Sequence, residues 1–323
     1  MTGIELTPEI PVSEVRELGV RAEGAGFETI YSSCHYNNRD PFAALALLAD
    51  ATEDVRLGPG VANPYEVHPV RLASQVATLD EHSGGRAVCG LGAGDRSTLR
   101  NLGVERERPL RRVLETMQVA RELWAGERVS HDGTFAATDA GLNYAEEVSE
   151  VPVHVGAQGP HMLRMAAKHA DGVLFNASHP RDVAWANERV AEGLAERPES
   201  RGDFEFAVFA SVSVAEEREA AREAARPPVA FIAGGAADPV LERHGIDVEA
   251  ASEVGAAVER GDFREAFAGV TDAMIDAFSV AGTPADVTER AAALREHADT
   301  VVCGSPLGPD RATAIELLGE TLC

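Results

Sequence analysis

The stretch of residues 151–178 constrains the fold more than any other part of the chain. Its first residues are mostly β-branched, as in a short strand, and glycines then end that strand. Pro160 stands where a helix can begin, because a first-turn proline loses no useful N–H group, and apolar residues then recur at helical spacing. A turn at Asp171 leads into a second apolar run, residues 173–175. We therefore expect a β-α-β unit whose two strands are parallel.

The glycine-rich turn after the first of these strands is a candidate anion site. The backbone N–H groups of Gln158, Gly159 and His161 are near a predicted helix N-terminus. Free donors and the positive end of the helix dipole attract phosphate or carboxylate to such a place. An ordinary strand-to-helix loop that needs glycine for its turn explains the same residues equally well. Both interpretations stay open on the local sequence.

Strand and helix patterns alternate about eight times along the 323 residues. This alternation favours an α/β fold with one domain over residues 1–323, a closed (β/α)8 TIM barrel. We expect an irregular excursion at about residues 126–150 and a helical insertion at about residues 215–280. An open doubly wound sheet is the alternative, but it has fewer strands and a G-x-G-x-x-G turn after the first one. The first predicted turn here, residues 7–11, contains no glycine.

The charge of the chain excludes several classes of partner. It has 53 acidic and 29 basic residues, with Lys168 as its only lysine, and a net charge of −24. Such a surface repels nucleic acid and anionic membranes, so we expect neither as a partner. No apolar run approaches the roughly 18 residues that cross a bilayer, and the four cysteines form no C-x-x-C pair. We expect a soluble, cytoplasmic protein with free thiols and no metal site.

In such a barrel the reaction takes place at the carboxyl ends of the strands. These ends are rich in glycine and small polar residues, and they hold two carboxylates, Glu5 and Asp95. A core strand rarely keeps a carboxylate unless it is paired or useful, although a solvated strand-end glutamate explains Glu5 equally well. His35, in the loop after the second strand, either binds a ligand or caps backbone groups. No zinc, serine-hydrolase or Walker signature is present in the sequence.

A set of short motifs resembles one protein family. The motifs are residues 3–5, 35–38, 57–65, 77–81, 156–160, 176–178, 229–233, 242–245 and 304–310. Together they closely resemble the methylenetetrahydromethanopterin reductases, which are coenzyme F420-dependent enzymes of the bacterial luciferase-like superfamily. The resemblance covers nearly the whole chain, and its motifs are specific in combination.

The resemblance implies a luciferase-like (β/α)8 barrel that binds a deazaflavin, coenzyme F420, at its mouth. A bulge in the third strand with a non-proline cis peptide would support the deazaflavin, and Gly60 and Val61 match it. The other implied cofactor contacts are Cys34, His35, Asn63, Gly156, Ala157, Gln158, Gly159, Asn176 and Ala177. The implied substrate contacts are Tyr36, Gln158 and Phe231. The phosphate or carboxylates of the F420 side chain would occupy the candidate anion site, and a homodimer or homotetramer is implied as well.

The reaction implied by the resemblance is hydride transfer from reduced F420 to the methylene carbon of a tetrahydropterin. A methylene bridge between two nitrogens is a poor hydride acceptor, but protonation of one nitrogen opens the ring to an iminium that accepts hydride readily. The acid needs a pKa raised toward neutrality by burial or a neighbouring carboxylate. Glu5 matches the family's acid. Asp95 is the natural second carboxylate, which either raises the pKa of that acid or binds the pterin ring.

The chain departs from the family at Cys34, where an aspartate that contacts the deazaflavin is usual. A thiol is smaller and neutral near pH 7, so FMN or another reductant is an alternative to F420. The acidic surface suggests a halophilic source, for which tetrahydrofolate is the alternative carrier to tetrahydromethanopterin. Two other functions stay open: an F420-dependent alcohol or sugar-phosphate dehydrogenase with His35 as base, and a non-catalytic flavin-binding homologue.

We predict a higher melting temperature in molar potassium chloride than in low salt. The excess carboxylates repel one another, and 1 M salt reduces the Debye length to about 3 Å. Thermal unfolding followed by tryptophan fluorescence at both salt concentrations measures the difference. Equal melting temperatures would contradict the halophilic interpretation.

Overall fold

The computed structural model describes residues 1–144 and 150–323, which form two compact units. The larger unit comprises Gly3–Phe175 and Ala186–Ala207. The smaller unit comprises Met1–Thr2, Asn176–Trp185 and Val208–Cys323. Our expectation of a single domain over residues 1–323 stays a prediction.

The secondary structure alternates as the sequence predicts. The strands are β1 (Thr2–Leu6), β2 (Thr29–Ser32), β3 (Arg56–Pro59), β4 (Cys89–Leu91), β5 (Val129–Asp132), β6 (Ala136–Ala140), β7 (Val153–Gly156), β8 (Gly172–Asn176), β9 (Glu205–Val214), β10 (Val280–Gly282) and β11 (Thr300–Leu307). The helices are α1 (Val12–Gly24), α2 (Pro41–Ala51), α3 (Pro69–Ser83), α4 (Arg96–Asn101), α5 (Pro109–Trp124), α6 (Pro160–His169), α7 (Pro180–Leu194), α8 (Arg218–Gly235), α9 (Asp238–Arg243), α10 (Val248–Glu259), α11 (Phe263–Ala268), α12 (Asp272–Phe278), α13 (Pro284–Arg295) and α14 (Arg311–Leu322).

The main sheet has the strand order of a barrel. In the part of the chain that the structure describes, eight strands follow the order β3-β2-β1-β11-β9-β8-β7-β4, and β10 adds to β9. Parallel bridges from Leu57 to Ala87 and from Ala62 to Leu91 bring the two ends of that order together. The predicted (β/α)8 barrel is confirmed, and the open doubly wound sheet is excluded.

Several elements begin where local chemistry predicts. Asp40 caps α2, because its carboxylate accepts a hydrogen bond of 3.0 Å from the backbone N–H of Ala43. Thr283 and Asp286 form a capping box at the start of α13. The predicted β-α-β unit is confirmed as β7, α6 and β8, whose strands pair in parallel. Five helices, α8 to α12, fill the predicted helical insertion.

Within the predicted irregular excursion at about residues 126–150, residues 129–140 contain two strands that the sequence analysis did not predict. β5 and β6 pair there as an antiparallel hairpin. Most of their residues are exposed or half-buried, so the apolar alternation that identifies a strand is missing from the sequence. Residues 145–149 of the predicted excursion lie outside the described part of the chain.

A buried carboxylate attaches this hairpin to α5. Glu115 accepts hydrogen bonds from Arg111 Nε at 2.6 Å and from the backbone N–H and the hydroxyl of Thr134, each at 2.7 Å. His131 Nε2 lies 3.1 Å from the same carboxylate. Burial alone would raise the pKa of Glu115, but these bonds outweigh it and lower that pKa to about 2.

We predict that Glu115→Gln lowers the free energy of unfolding by about 2–3 kcal/mol at pH 7. Because the folded-state pKa is depressed, this stabilisation is present above the unfolded-state value and is lost as pH falls toward 2. Denaturant unfolding at pH 7 and pH 3 measures the change. The exposed Glu122, on the same helix, is the matched control, and Glu122→Gln should change stability by less than about 0.5 kcal/mol. Equal effects of the two variants at pH 7 would refute the prediction.

Candidate active site

Glu5 faces the interior of the barrel. It is paired with Tyr31 across β1 and β2, so the two side chains lie on the same face of the sheet. Tyr31 is buried, and its hydroxyl lies 3.0 Å from Nδ1 of His154 on β7. Since β7 is not a neighbour of β2, this bond crosses the interior. The half-buried Glu5 therefore points inward, as a site residue requires.

Four polar residues form a cluster in the interior of the barrel, which extends from Tyr31 toward the start of the strands. It consists of Tyr31, His154, Glu205 and Arg56: Nε2 of His154 is 3.7 Å from the Glu205 carboxylate, which pairs with Arg56 at 3.3 Å. Burial raises the pKa of Tyr31 and lowers the pKa of His154, so both are neutral at pH 7. Arg56 and Glu205 begin their strands, so the charged end of the cluster is remote from the carboxyl ends.

The bulge after β3 has the geometry that the resemblance implies. The peptide bond between Gly60 and Val61 is cis. The Gly60 N–H donates to the carbonyl of Ser32 at 2.8 Å. A Cβ atom on Gly92 would lie 2.5 Å from Cγ2 of Val61, and one on Gly156 would lie 3.1 Å from the same atom. Glycine at the ends of β4 and β7 thus leaves the space that the Val61 side chain occupies.

The end of β2 presents two small polar side chains beside this bulge. The Cys34 thiol lies 3.5 Å from the Ser32 carbonyl. Burial raises the pKa of Cys34, and the carboxylates of Glu66, Asp40 and Glu5 add to the effect, so the thiol is neutral. The sequence places Ser33 at the mouth of the barrel but not among the predicted ligand contacts; it follows Tyr31 by two residues and so shares its inward face. Within the described chain, the buried Ser33 hydroxyl has no hydrogen-bond partner.

Asn63 organises the loop that follows the bulge. Its side-chain oxygen accepts from the backbone N–H groups of Tyr65 at 3.1 Å and Glu66 at 3.0 Å, and its Nδ2 donates to Glu66 Oε1 at 2.7 Å. A Cβ atom on Gly94 would lie 3.1 Å from Cγ of Asn63, so the loops after β3 and β4 are in close contact. The expected cofactor contact of Asn63 stays a prediction.

Asp95 caps a helix that the sequence analysis missed. Its Oδ1 accepts from the backbone N–H groups of Ser97 and Thr98, each at 2.9 Å, and from the Ser97 hydroxyl. Burial would raise the pKa of Asp95, but the hydrogen bonds from Ser97 and Thr98 lower it. Asp95 is therefore ionised at neutral pH and is not itself a proton donor. Its expected part in the site stays a prediction.

The remaining predicted residues of the larger unit lie on its loops. His35 and Tyr36 are exposed, and the Tyr36 hydroxyl accepts from Asn101 Nδ2 at 3.3 Å. Ala157 is buried and donates its N–H to the carbonyl of Leu174 at 3.1 Å, whereas Gln158 is exposed. Gly159 is the N-cap of α6 and, among the described residues, no side chain caps that helix. The first-turn N–H groups of α6 thus fit the candidate anion site, which stays a prediction.

Three predicted residues belong to the smaller unit. Asn176 ends β8 and is exposed, and the N–H of Ala177 donates to the carbonyl of Phe209 at 3.1 Å. Phe231, on α8, is 53% exposed, and its ring centroid lies 6.0 Å from that of Phe263. Their expected ligand contacts stay predictions.

Within residues 1–144 and 150–323, no group of three or more His, Cys, Asp or Glu side chains is placed to hold a metal ion. Over the same residues, no helix combines the length and apolar character that a membrane span needs.

The chain is similar to known proteins over nearly its whole length. A profile of the family described as luciferase-like monooxygenase matches residues 2–300. The 5,10-methylenetetrahydromethanopterin reductase of Archaeoglobus fulgidus is 43% identical, and the alignment covers 99% of this chain and 98% of that one. The solved coenzyme F420-dependent tetrahydromethanopterin reductase of Methanopyrus kandleri is 37% identical with a TM-score of 0.93, over 99% of this chain and 97% of that one. An F420-dependent secondary alcohol dehydrogenase shares the fold at 21% identity, with a TM-score of 0.79 and coverage of 100% and 98%.

We predict that iodoacetamide modifies Cys34 at least about tenfold more slowly than the exposed Cys323 at pH 8, because the thiolate is the nucleophile. The rate at Cys34 should still rise above pH 10, since burial and nearby carboxylates raise its pKa. Mass spectrometry of the two peptides between pH 7 and pH 11 measures both rates. A plateau at Cys34 near pH 9, or modification as fast as at Cys323, would contradict this assignment, and Cys34→Ser identifies the signal.

Proposed function

The chain belongs to the luciferase-like monooxygenase family and, within it, to the 5,10-methylenetetrahydromethanopterin reductases, and from this premise we propose that it reduces the methylene group of a 5,10-methylenetetrahydropterin to a methyl group. The observation that carries the proposal is the inward-facing Glu5 beside the cis Gly60–Val61 bulge, in a chain 43% identical to such a reductase over its full length. The reaction consumes one hydride and one proton, so the site must hold a hydride source and a proton donor.

We infer that coenzyme F420 is the hydride source, as the name of the solved relative states for that protein. The residues around the bulge fit a flat polar ring: Val61 lies in space that glycines leave, and the buried Ser33 hydroxyl has no partner in the described chain. Gly60 and Val61 would lie behind the ring, with Ser33, Cys34 and His35 at its edge. When bound in reduced form, F420 supplies the hydride.

A neutral Cys34 thiol at that edge is a weak hydrogen-bond donor, whereas an ionised aspartate would only accept. This difference keeps FMN, or another reductant, as the alternative hydride source. The uncapped first turn of α6 after Gly159 is the place for the phosphate or carboxylates of the F420 side chain. Asn63, Gly156, Ala157, Gln158, Asn176 and Ala177 complete the proposed cofactor contacts.

Glu5 is the proposed proton donor. Its proton passes to one nitrogen of the N–CH2–N bridge, the C–N bond to that nitrogen breaks, and the resulting iminium carbon accepts the hydride. Glu5 is half-buried and faces the interior of the barrel. Asp95 has a different role, because its lowered pKa keeps it ionised. We propose that its carboxylate accepts hydrogen bonds from the N–H groups of the pterin, with Tyr36, Gln158 and Phe231 as the other substrate contacts.

The carrier is a separate question, because tetrahydrofolate and tetrahydromethanopterin present the same N–CH2–N bridge to Glu5. An anaerobic assay that pairs each methylene carrier with reduced F420, reduced FMN and a reduced nicotinamide, in molar potassium chloride, assigns carrier and reductant together. Homodimeric or homotetrameric assembly stays a prediction that light scattering tests. An F420-dependent alcohol dehydrogenase is the second candidate, but its solved relative supports the fold alone.

We predict that Glu5→Gln lowers the rate of methylene reduction at least about 100-fold, because amide nitrogen cannot supply the proton. The dissociation constant for F420, measured by fluorescence, should change by less than about threefold. Stopped-flow reduction of the methylene carrier at saturating reductant measures the rate. The exposed Glu9, in the loop after β1, is the matched control, and Glu9→Gln should leave the rate unchanged.

The same variant separates the two candidate functions. An alcohol or sugar-phosphate dehydrogenase with His35 as base does not need an acid at position 5. Full activity of Glu5→Gln toward the methylene carrier would remove Glu5 from the mechanism. Alcohol-dependent F420 reduction by the wild type, without reduction of either methylene carrier, would instead replace the proposed function.

A further inference from the structure

One segment at the barrel mouth opposes the charge of the rest of the chain. Residues 95–112 contain six arginines and three carboxylates, whereas the whole chain has 53 acidic and 29 basic residues. The segment begins directly after β4, at the carboxyl end of that strand, where a barrel binds its ligands. It is therefore a basic patch beside the candidate active site.

Three of these arginines have protein partners that explain their positions. Arg111 pairs with Glu115 at 2.6 Å, and Arg112 donates to the carbonyl of Pro64 at 2.9 Å. Arg106 donates from Nε to the carbonyl of Ala93 at 3.1 Å, which holds its guanidinium group against the end of β4. These contacts hold the three arginine side chains in place within the basic patch.

Arg96 and Arg100 are different. Both are exposed and, in the part of the chain that the structure describes, neither makes an ion pair or a side-chain hydrogen bond. With nearly two carboxylates for each basic residue, partners are abundant elsewhere, and Arg222, for example, pairs with both Asp272 and Asp276. Arg96 and Arg100 are four residues apart on α4, so their guanidinium groups lie on one face of that helix and are available to a ligand.

The patch also brings like charges together. Burial and the positive charge of the nearby Arg96 lower the pKa of the half-buried Arg106. Guanidinium groups that repel one another are stabilised by an anion between or beside them, and their planar N–H donors match carboxylate and phosphate oxygens. Asn101 of the same helix contacts Tyr36, which we expect to touch the substrate. An anionic group on this patch would thus be close enough to belong to the same molecule as a ring bound at the barrel mouth.

We propose that Arg96, Arg100 and Arg106 form an arginine subsite for the anionic tail of a ligand bound at the barrel mouth. The proposal rests on the proposed function, which supplies two ligands with such tails. The side chain of F420 carries a phosphate and glutamyl carboxylates, and the pterin carrier has a carboxylate-bearing tail of its own. The shared chemistry is a flexible chain of carboxylate or phosphate groups, which exposed guanidinium groups bind without demanding one fixed geometry.

The test compares ligands that differ only in their tails. Dissociation constants are measured by fluorescence for F420 and for the same deazaflavin without phosphate or glutamates. The methylated carrier is also prepared with one glutamate and with several glutamates in its tail, and calorimetry measures the dissociation constant of each form. The double variant Arg96→Gln/Arg100→Gln is set against Arg16→Gln, which removes an exposed arginine of α1 that also has no ion pair among the described residues. All proteins are compared at one salt concentration at which each is folded.

We expect the double variant to weaken the binding of at least one tailed ligand about tenfold. Binding of its tail-free counterpart should change by less than about twofold, and Arg16→Gln should change neither. A loss confined to F420 supports the subsite and assigns it to the cofactor tail, and a loss confined to the longer carrier assigns it to the substrate tail.

Three results would overturn the subsite. The first is unchanged binding of every tailed ligand, and the second is an equal loss for tailed and tail-free ligands. The third is a change in oligomeric state without a change in binding, which would assign the patch to an acidic face of a second copy. A wild-type protein that binds neither a deazaflavin nor a carrier overturns the proposed function as well, and this outcome is visible before any variant is made.

Discussion

The Val61 side chain lies within the barrel only because glycine stands at the facing ends of β4 and β7. A methyl group on Gly92 would approach Val61 Cγ2 to 2.5 Å, well inside van der Waals contact. Tyr31 also encloses the bulge, because a Cβ atom on Gly60 would lie 2.9 Å from Cβ of Tyr31. The hydroxyl of Tyr31 is in turn hydrogen-bonded to His154. The bulge is thus enclosed by neighbours on several strands, and the groups we assign to the cofactor edge take their positions from it.

The interior cluster separates this bulge from the charged start of the strands. Glu205 and Arg56 balance each other at the beginning of β9 and β3, and the neutral Tyr31 and His154 lie between them and the mouth. A buried charge with a partner is tolerated, whereas an unpaired one is costly. Ionisable groups that act on a ligand are therefore confined to the carboxyl ends of the strands, as the barrel architecture predicts.

Sequence patterns predicted those elements whose signals are local. Helices α2 and α3 are examples, because each has a first-turn proline, a capping side chain and a run of buried apolar residues. The six residues of α4 are too few for a period, and the hairpin strands bury little, so both were missed. The cis peptide followed from the resemblance and not from spacing. The loop bonds of Asn63 and the buried hydroxyl of Ser33 depend on neighbours that only the folded chain brings together.

The sequence alone does not show which way Glu5 faces; that direction follows from the register of β1 and β2, which pairs Glu5 with Tyr31. An inward direction favours Glu5 over the other ionisable groups as the candidate acid. Among groups near the bulge, the pKa values of Cys34 and Tyr31 are raised and those of Asp95 and His154 are lowered. None of these four can release a proton near pH 7 and regain it in the next turnover, because each is held in one form. His35 is exposed to solvent. Glu5 differs from these groups because it is half-buried and faces the interior, and this position is the basis of its proposed role as proton donor.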